Sequence, residues 1–449
     1  MNPGSEMTTP WIAALQLPKE DSALAKLVRI EPKPLAGLYG MRPRMAVEQL
    51  IVAFKSFYEP SANDLRLIRE VVDIMGSHAA TYYSSKHDFT VGAKGRPRLS
   101  IDPPVIMLSG PTGVGKSMFI LALARLLANI PPVPVDPDLP DFPIRPIAAV
   151  QVESNVSGAK LLTSIATSLG LGQHYATGTK WDTAHLRLRL FQLACCCVFP
   201  DELQFVSRSS NSNALAAKLL TLLSELGVPV FYACNYSLGH KLKKRPPEDR
   251  ARLLSAPMIM LPDVPDSPDF IRFLEDAKVI FNGVLAIKPA SDAAEIHSMS
   301  FGLRRMVVRL LAFGHRIARE AHRGECDSFM VTMDHIRAAY LSTDFEEDRV
   351  TVEGSFAALL GIGEANNDYI CPFDLAPSEE AVLRKIADAR RQDALNAAES
   401  VKSRTREERE TVKRAEKSSA GFKGSVPTKP AKPARLASPR TAAELLAGL

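Results

Sequence analysis

At 449 residues, 46% of them hydrophobic and with a net charge of only +5, the chain is long enough for one or two core-forming domains and a tail. No stretch approaches the roughly twenty apolar residues that cross a bilayer, and Met1-Asn-Pro-Gly-Ser-Glu lacks signal-peptide character, so a cytoplasmic protein without membrane association is expected. The six cysteines and nine histidines show no zinc-ligand spacing, which argues against a metal or disulfide scaffold.

The N-terminal region, residues 1–102, carries a helical pattern over Ala62 to Met75 and then a loop rich in Tyr, Ser and Lys around Thr81 to Pro97. A nucleotide-binding core is expected over 103–262, where apolar strands alternate with helical patterns, as in a parallel sheet covered on both faces. Its first strand, from Val105, runs into Gly110-Pro111-Thr112-Gly113-Val114-Gly115-Lys116-Ser117-Met118. This is a phosphate-binding P-loop between a strand and a helix. Glycines let the backbone N–H groups close around phosphate oxygens. Lys116 would reach the β- and γ-phosphates and Ser117 would ligate Mg²⁺. The helix from Met118 to Leu127 adds its N-terminal dipole. The chain is therefore expected to bind ATP with Mg²⁺.

A second strand is expected over Ile147 to Val152, followed by Ser154-Asn-Val-Ser-Gly-Ala-Lys160 and a helix. The apolar run Phe191 to Phe199 is long enough for a buried parallel strand and ends in Pro200-Asp201-Glu202. Downstream of a P-loop this reads as a Walker B site, with Asp201 serving Mg²⁺ and Glu202 polarising the attacking water. The alternative is a surface Asp-Glu pair after a core strand. Pro200 lacks an N–H and is tolerable at a strand end, where it would slow hydrolysis by displacing Glu202. The strand Val228 to Cys234 carries no charge and ends on the polar amide of Asn235, a residue that caps turns anywhere. Lys241-Leu-Lys-Lys-Arg245, Arg250 and Arg252 then precede a short strand, Met258 to Leu261.

After Pro262 the pattern turns helical, at Pro268 to Glu275, Asp292 to Ser298, Leu303 to Arg323 and Met333 to Leu341, giving a helical lid over 263–350. A partly helical extension over 351–417 follows, with Ser378 to Lys417 rich in helix formers. Residues 418–449 are rich in Lys, Pro, Ala and Ser and are expected to be a disordered tether ending in a short apolar tip. The charge is concentrated here: Val401 to Arg440 carries twelve Lys or Arg against four Glu, while the remainder of the chain holds 43 basic and 46 acidic residues. The tether suggests partner capture or added DNA affinity.

A helical lid after a P-loop α/β core resembles the AAA+ ATPases. That resemblance implies sensor 1 for Asn235, sensor 2 for Arg304 or Arg305, and an arginine finger for Arg250 or Arg252 reaching a neighbouring subunit's γ-phosphate. The basic residues could equally face solvent. More specifically, the chain resembles the TnsC/TniB transposition-regulator ATPases of bacterial transposons, with MuB as a more distant functional relative. The resemblance covers about residues 30–350 and rests on Gly37-Leu-Tyr-Gly-Met, Pro111 to Lys116, Val150 through Lys160, Asp201-Glu202-Leu203-Gln204, Leu226-Gly-Val-Pro-Val and Phe301-Gly-Leu-Arg-Arg. The chain departs from relatives at Pro200, where they carry an aliphatic residue, and at Cys234-Asn235-Tyr236, where many carry Gly-Thr-Pro.

The resemblance implies an ATP-dependent homo-oligomer, ring or filament, on double-stranded DNA. It would link a target-selection protein of the TnsD/TniQ type to the transposase and disassemble on hydrolysis. The family's DNA-lining loops follow the second strand, making Lys160, Thr177, Thr179 and Lys180 the candidates here. Contacts would be to phosphates, with steep salt dependence. The rival readings are a replication initiator or clamp-loader-like AAA+ ATPase, and a scaffold that binds ATP without hydrolysing it.

Overall fold

The computed structural model describes residues 10–419, apart from 96, 98–99, 101, 129, 131, 133–142, 154–155, 173–180, 204–211, 323–328 and 364–365. For residue 10, 212–215 and 400–419 it describes the backbone alone. The chain divides into two compact units, Met1–Leu383 and Arg384–Leu449.

The first unit opens with helices α1 (Pro10–Ala13), α2 (Asp21–Val28), α3 (Pro43–Phe54), α4 (Ala62–Tyr82) and α5 (Lys86–Ala93). Helix α4 begins on a capping box: Ser61 accepts from the Asp64 amide while Asp64 accepts from the Ser61 amide. It runs beyond the expected Met75, and the expected Tyr/Ser/Lys loop contains α5. Polar composition hides that helix; a cap and one aromatic face make it. Ser85 accepts from the Asp88 amide at 3.0 Å, and buried Phe89 stacks on Phe191 and lies 4.7 Å from the ring of Trp11. Gly92 leaves the room for this, since a Cβ there would come within 2.4 Å of the Phe191 ring.

The core alternates β1 (Val105–Ser109), α6 (Lys116–Ala128), β2 (Ile147–Gln151), α7 (Gly158–Ser168), α8 (Thr183–Gln192), β3 (Cys197–Asp201), α9 (Ser212–Ser224), β4 (Val230–Cys234), α10 (Tyr236–Lys243), α11 (Pro247–Leu253) and β5 (Met258–Ile259). The five strands form one parallel sheet in the order β2-β3-β4-β1-β5. Every residue of β1 and β4 is buried, as expected for strands covered on both faces.

The run Phe191 to Phe199 is not one strand. Its first two residues close α8, a turn with Ala194 at φ 47° follows, and β3 starts at Cys197. A continuous apolar run does not separate a helix end from a strand start; here the side chain of Phe191 serves the aromatic cluster with Phe89 and Tyr83. Pro200 also sits inside β3, in register with Val150, rather than beyond its end. The Val198 amide donates to Pro229 O on the β4 side, and alternate residues of a strand point the same way. Pro200 therefore removes a donor toward β4, which β3 meets in register at Val198↔Val230.

Helices α12 (Pro268–Ile280), α13 (Pro289–Ser298), α14 (Arg304–Ala321), α15 (Met333–Leu341) and α16 (Glu346–Leu360) follow the sheet. Sheet order, P-loop position and trailing helices together make an AAA+-like α/β fold. Helix α16 ends on Gly361 in the left-handed conformation, φ 68°. The N-terminal helices are built into the first unit: α3 packs on α14, the Tyr83 hydroxyl donates to Cys195 O at 2.9 Å, and Arg29 pairs with Glu59 and with Asp276 of α12, each at 2.8 Å. Helix α17 spans Pro377–Ser419, matching the helix expected over Ser378 to Lys417. Within the second unit only its part from Arg384 onward is described. The expected tether falls outside the described residues from 420. No helix among the described residues is long and apolar enough to cross a membrane.

Candidate active site

Because all five strands are parallel, their carboxyl ends meet at one edge of the sheet, where ligands of open α/β folds bind. A cleft of about 790 Å³ opens there. The P-loop residues Thr112 to Met118 line it together with Gln151, Glu202, Asn235, Arg304 and Arg305. Sequence reasoning missed a further wall, formed by Phe54, Phe57, Tyr58 and Glu59 from the N-terminal segment and by Phe273 of α12. The signal was there in part, as an aromatic cluster just ahead of the α4 capping box.

The loop after β1 is shaped by three glycines. A Cβ on Gly110 would lie 2.8 Å from Met260 O, whereas Gly113 and Gly115 take φ of 88° and 119°. Gly115 faces open space, with nothing within 4 Å of a Cβ there. Helix α6 starts at Lys116, whose ammonium is buried and donates to Gly110 O at 2.9 Å and Pro111 O at 3.1 Å. Those partners are neutral carbonyls. Burial lowers the Lys116 pKa to about 8, and the charges of Asp201 and Glu202 only partly oppose it. A buried cation facing an open backbone turn at a helix N-terminus fits a bound phosphate chain.

This geometry has a pH consequence. An anion beside Lys116 restores its proton affinity, so nucleotide binding above pH 8 takes up a proton. Affinity is expected to fall by up to about tenfold per pH unit between 8 and 10. Titration calorimetry at pH 9 in two buffers of different ionisation heat reads the uptake; a binding heat indifferent to buffer would contradict it.

At the end of β3, Asp201 accepts from the Glu202 amide at 2.8 Å, and its carbonyl accepts from Val152 at 2.9 Å, which fixes it to β2. Glu202 has φ 62°, a left-handed conformation that costs a side-chain-bearing residue roughly 1–3 kcal/mol. Among the described residues no group of three or more His, Cys, Asp or Glu could hold a metal. Mg²⁺ takes one or two protein ligands plus substrate phosphates; Ser117 and Asp201 would be those ligands. Asn235 occupies the N-cap position of α10, yet its side chain makes no capping hydrogen bond and lines the cleft.

The two lid arginines separate. Arg304 donates through Nε and Nη2 to the two carboxylate oxygens of Asp263, at 2.8 and 3.2 Å, and through Nη1 to Glu59 O. It also faces Asp64 and lies over the Phe273 ring. Three of its donors are bonded within the fold, while the side chain also lines the cleft. Arg305 instead lies against the P-loop: its amide donates to Gly113 O at 3.1 Å, and its charge acts on Lys116. Removing Arg304 strands two buried carboxylates, so Arg304→Ala is expected to lower stability by about 3 kcal/mol. Arg305→Ala is expected to leave stability unchanged while slowing phosphate release. Urea unfolding of both variants checks this, and the reverse pattern would sink the assignment.

Arg250 and Arg252 lie on α11, outside the cleft lining. Both are exposed; Arg252 donates to Ser224 Oγ at 2.6 Å and faces Asp102. Lys160, on the first turn of α7, pairs with Glu153 rather than standing alone. Thr177, Thr179 and Lys180 fall outside the described residues, as do Ser154, Asn155 and Gln204 of the family-like blocks.

No family model matches the chain, and no curated protein matches it. Solved structures similar to it include the Aeropyrum pernix ORC1 protein in complex with DNA, at 20% identity over 67% of this chain and 69% of that one, TM-score 0.39. Others are Cdc6p from Pyrobaculum aerophilum, at 15% over 61% and 71%, TM-score 0.35, and the Aeropyrum pernix ORC2 protein in ADPNP-ADP complexes, at 13% over 68% and 94%, TM-score 0.36. At this identity and overlap they assign neither activity nor partner; the fold rests on strand order and the P-loop.

Proposed function

We propose that this chain is an ATP-hydrolysing AAA+ switch that oligomerises on duplex DNA and regulates transposition. The observation that carries the nucleotide half is Lys116: a buried ammonium satisfied by carbonyls alone, at a helix N-terminus, beside Asp201 and Glu202. In this reading Lys116 and the loop amides hold the terminal phosphates. Ser117 and Asp201 hold Mg²⁺, which supplies charge neutralisation at the phosphates when bound. Glu202 orients the attacking water and takes its proton, Asn235 fixes that water from the β4 side, and Arg305 closes on the phosphates from the lid. Arg250, exposed on α11, is the better candidate for a finger reaching a neighbouring subunit, because Arg252 is engaged within its own chain.

The DNA and transposition half rests on the sequence blocks that resemble TnsC/TniB ATPases. It assigns double-stranded DNA, a transposase and a target-selection protein as partners, with Lys160, Thr177, Thr179 and Lys180 toward DNA. ATP between subunits would make assembly depend on the γ-phosphate, and its loss would release the oligomer. Pro200 favours a second reading, an ATP-bound scaffold without turnover, since it weakens the strand that carries Asp201 and Glu202. Phosphate release measured with and without duplex DNA separates the two. The switch predicts Mg²⁺-dependent release that DNA changes; no release under either condition, with ATP bound, would establish the scaffold.

A further inference from the structure

Behind Asn235 runs a segment to which the catalytic reading gives no role. After α16 the chain returns as Tyr369-Ile-Cys-Pro-Phe373 and lies along α10, the helix that Asn235 begins. Two glycines make the room. A Cβ on Gly354 of α16 would come within 2.5 Å of the Tyr369 ring, and one on Gly239 of α10 within 2.7 Å of Pro372 Cγ. Around the second contact, His240 Nε2 donates to Ile370 O at 2.9 Å. The Tyr236 side chain lies beside Cys371, and the Lys243 ammonium lies 5.3 Å from the Phe373 ring centroid.

Tyr236, Gly239, His240 and Lys243 stand at i, i+3, i+4 and i+7, which is one face of the helix along its whole length. Helix α10 has eight residues, too few to be stable by its own hydrogen bonds, and its N-cap makes no side-chain bond. Its position is therefore set by tertiary packing: Leu238 and Leu242 are buried on one face, and the strap grips the other. The same segment leads into α17, where Glu379 pairs with Arg66 of α4 at 2.9 Å.

We propose that Tyr369–Phe373 is a positioning strap for Asn235: by holding α10 it sets the water-orienting amide, and it couples the hydrolysis step to the segment that leads into the C-terminal part of the chain. This rests on the reading of the cleft as an ATPase site. The strap touches no part of the phosphate cradle, so it governs turnover and leaves nucleotide affinity alone. A misplacement of this kind, remote from the chemistry, costs about ten- to a hundredfold in rate.

The test uses the full-length protein, Gly239→Val to push Pro372 off the helix, and the pair His240→Ala and His240→Gln. Steady-state phosphate release gives kcat, and titration of a fluorescent non-hydrolysable ATP analogue gives Kd. The expected result is a kcat at least tenfold lower in Gly239→Val and His240→Ala, a Kd within twofold of the parent, and recovery in His240→Gln, whose amide still reaches Ile370 O. The histidine pair stands if Gly239→Val fails to fold. Parental kcat in the folded variants would overturn the strap, as would a weakened Kd with kcat unchanged. No hydrolysis by the unaltered protein would instead remove the ATPase reading, and the strap with it.

Discussion

Replacing Lys116 by Ala is expected to weaken ATP binding by about 100-fold or more, the scale of losing a charge-assisted hydrogen bond to phosphate in a dry site. The other cations that line the cleft, Lys55, Arg304, Arg305 and Arg309, come from outside the P-loop. Arg304 is held by Asp263 and Glu59, and Arg305 approaches from the lid rather than from within the loop. The substitution also removes a cation that burial already disfavours, so the fold without nucleotide should persist, with unchanged helical content by circular dichroism. ATP-dependent DNA binding should vanish with nucleotide binding. A Lys116→Ala protein that binds ATP within threefold of the parent would refute the cradle.

Glu202→Gln should separate binding from chemistry. The amide keeps the shape of the side chain and loses its basicity, so ATP affinity is expected to stay within a few-fold while phosphate release falls by about 10²–10⁴, the range for removing a general base. Oligomers assembled on DNA should then persist for as long as ATP is present. The left-handed backbone at Glu202, φ 62°, sharpens the expectation, because such strain is kept where a side chain must point one particular way. Single-turnover phosphate release and sedimentation on DNA read the two halves. Parental turnover in Glu202→Gln would strip Glu202 of its role.

Local chemistry makes much of the site readable in the sequence. The P-loop spells its own turn, because glycines admit the positive φ found at Gly113 and Gly115, although α6 opens at Lys116, two residues ahead of the expected Met118. The lid helix after Leu303 was equally plain from its periodicity. What stays hidden in the sequence has tertiary causes. Phe191 belongs to a helix because it meets Phe89 and the gap at Gly92, contacts a hundred residues away in sequence. Arg304 and Arg305 are adjacent and chemically alike, and only the position of Asp263 decides which is committed to the fold. The aromatic wall at Phe54, Phe57 and Tyr58 comes from a segment distant from every motif, and the strap at Tyr369–Phe373 is visible only through the two glycines it covers.

Nucleotide-gated assembly on DNA is the claim on which the functional account turns. Electron microscopy of the purified protein with duplex DNA, comparing a non-hydrolysable ATP analogue with ADP, tests it most directly. The account predicts rings or filaments on DNA with the analogue and dispersed particles with ADP. Particles indifferent to both nucleotide and DNA would contradict it.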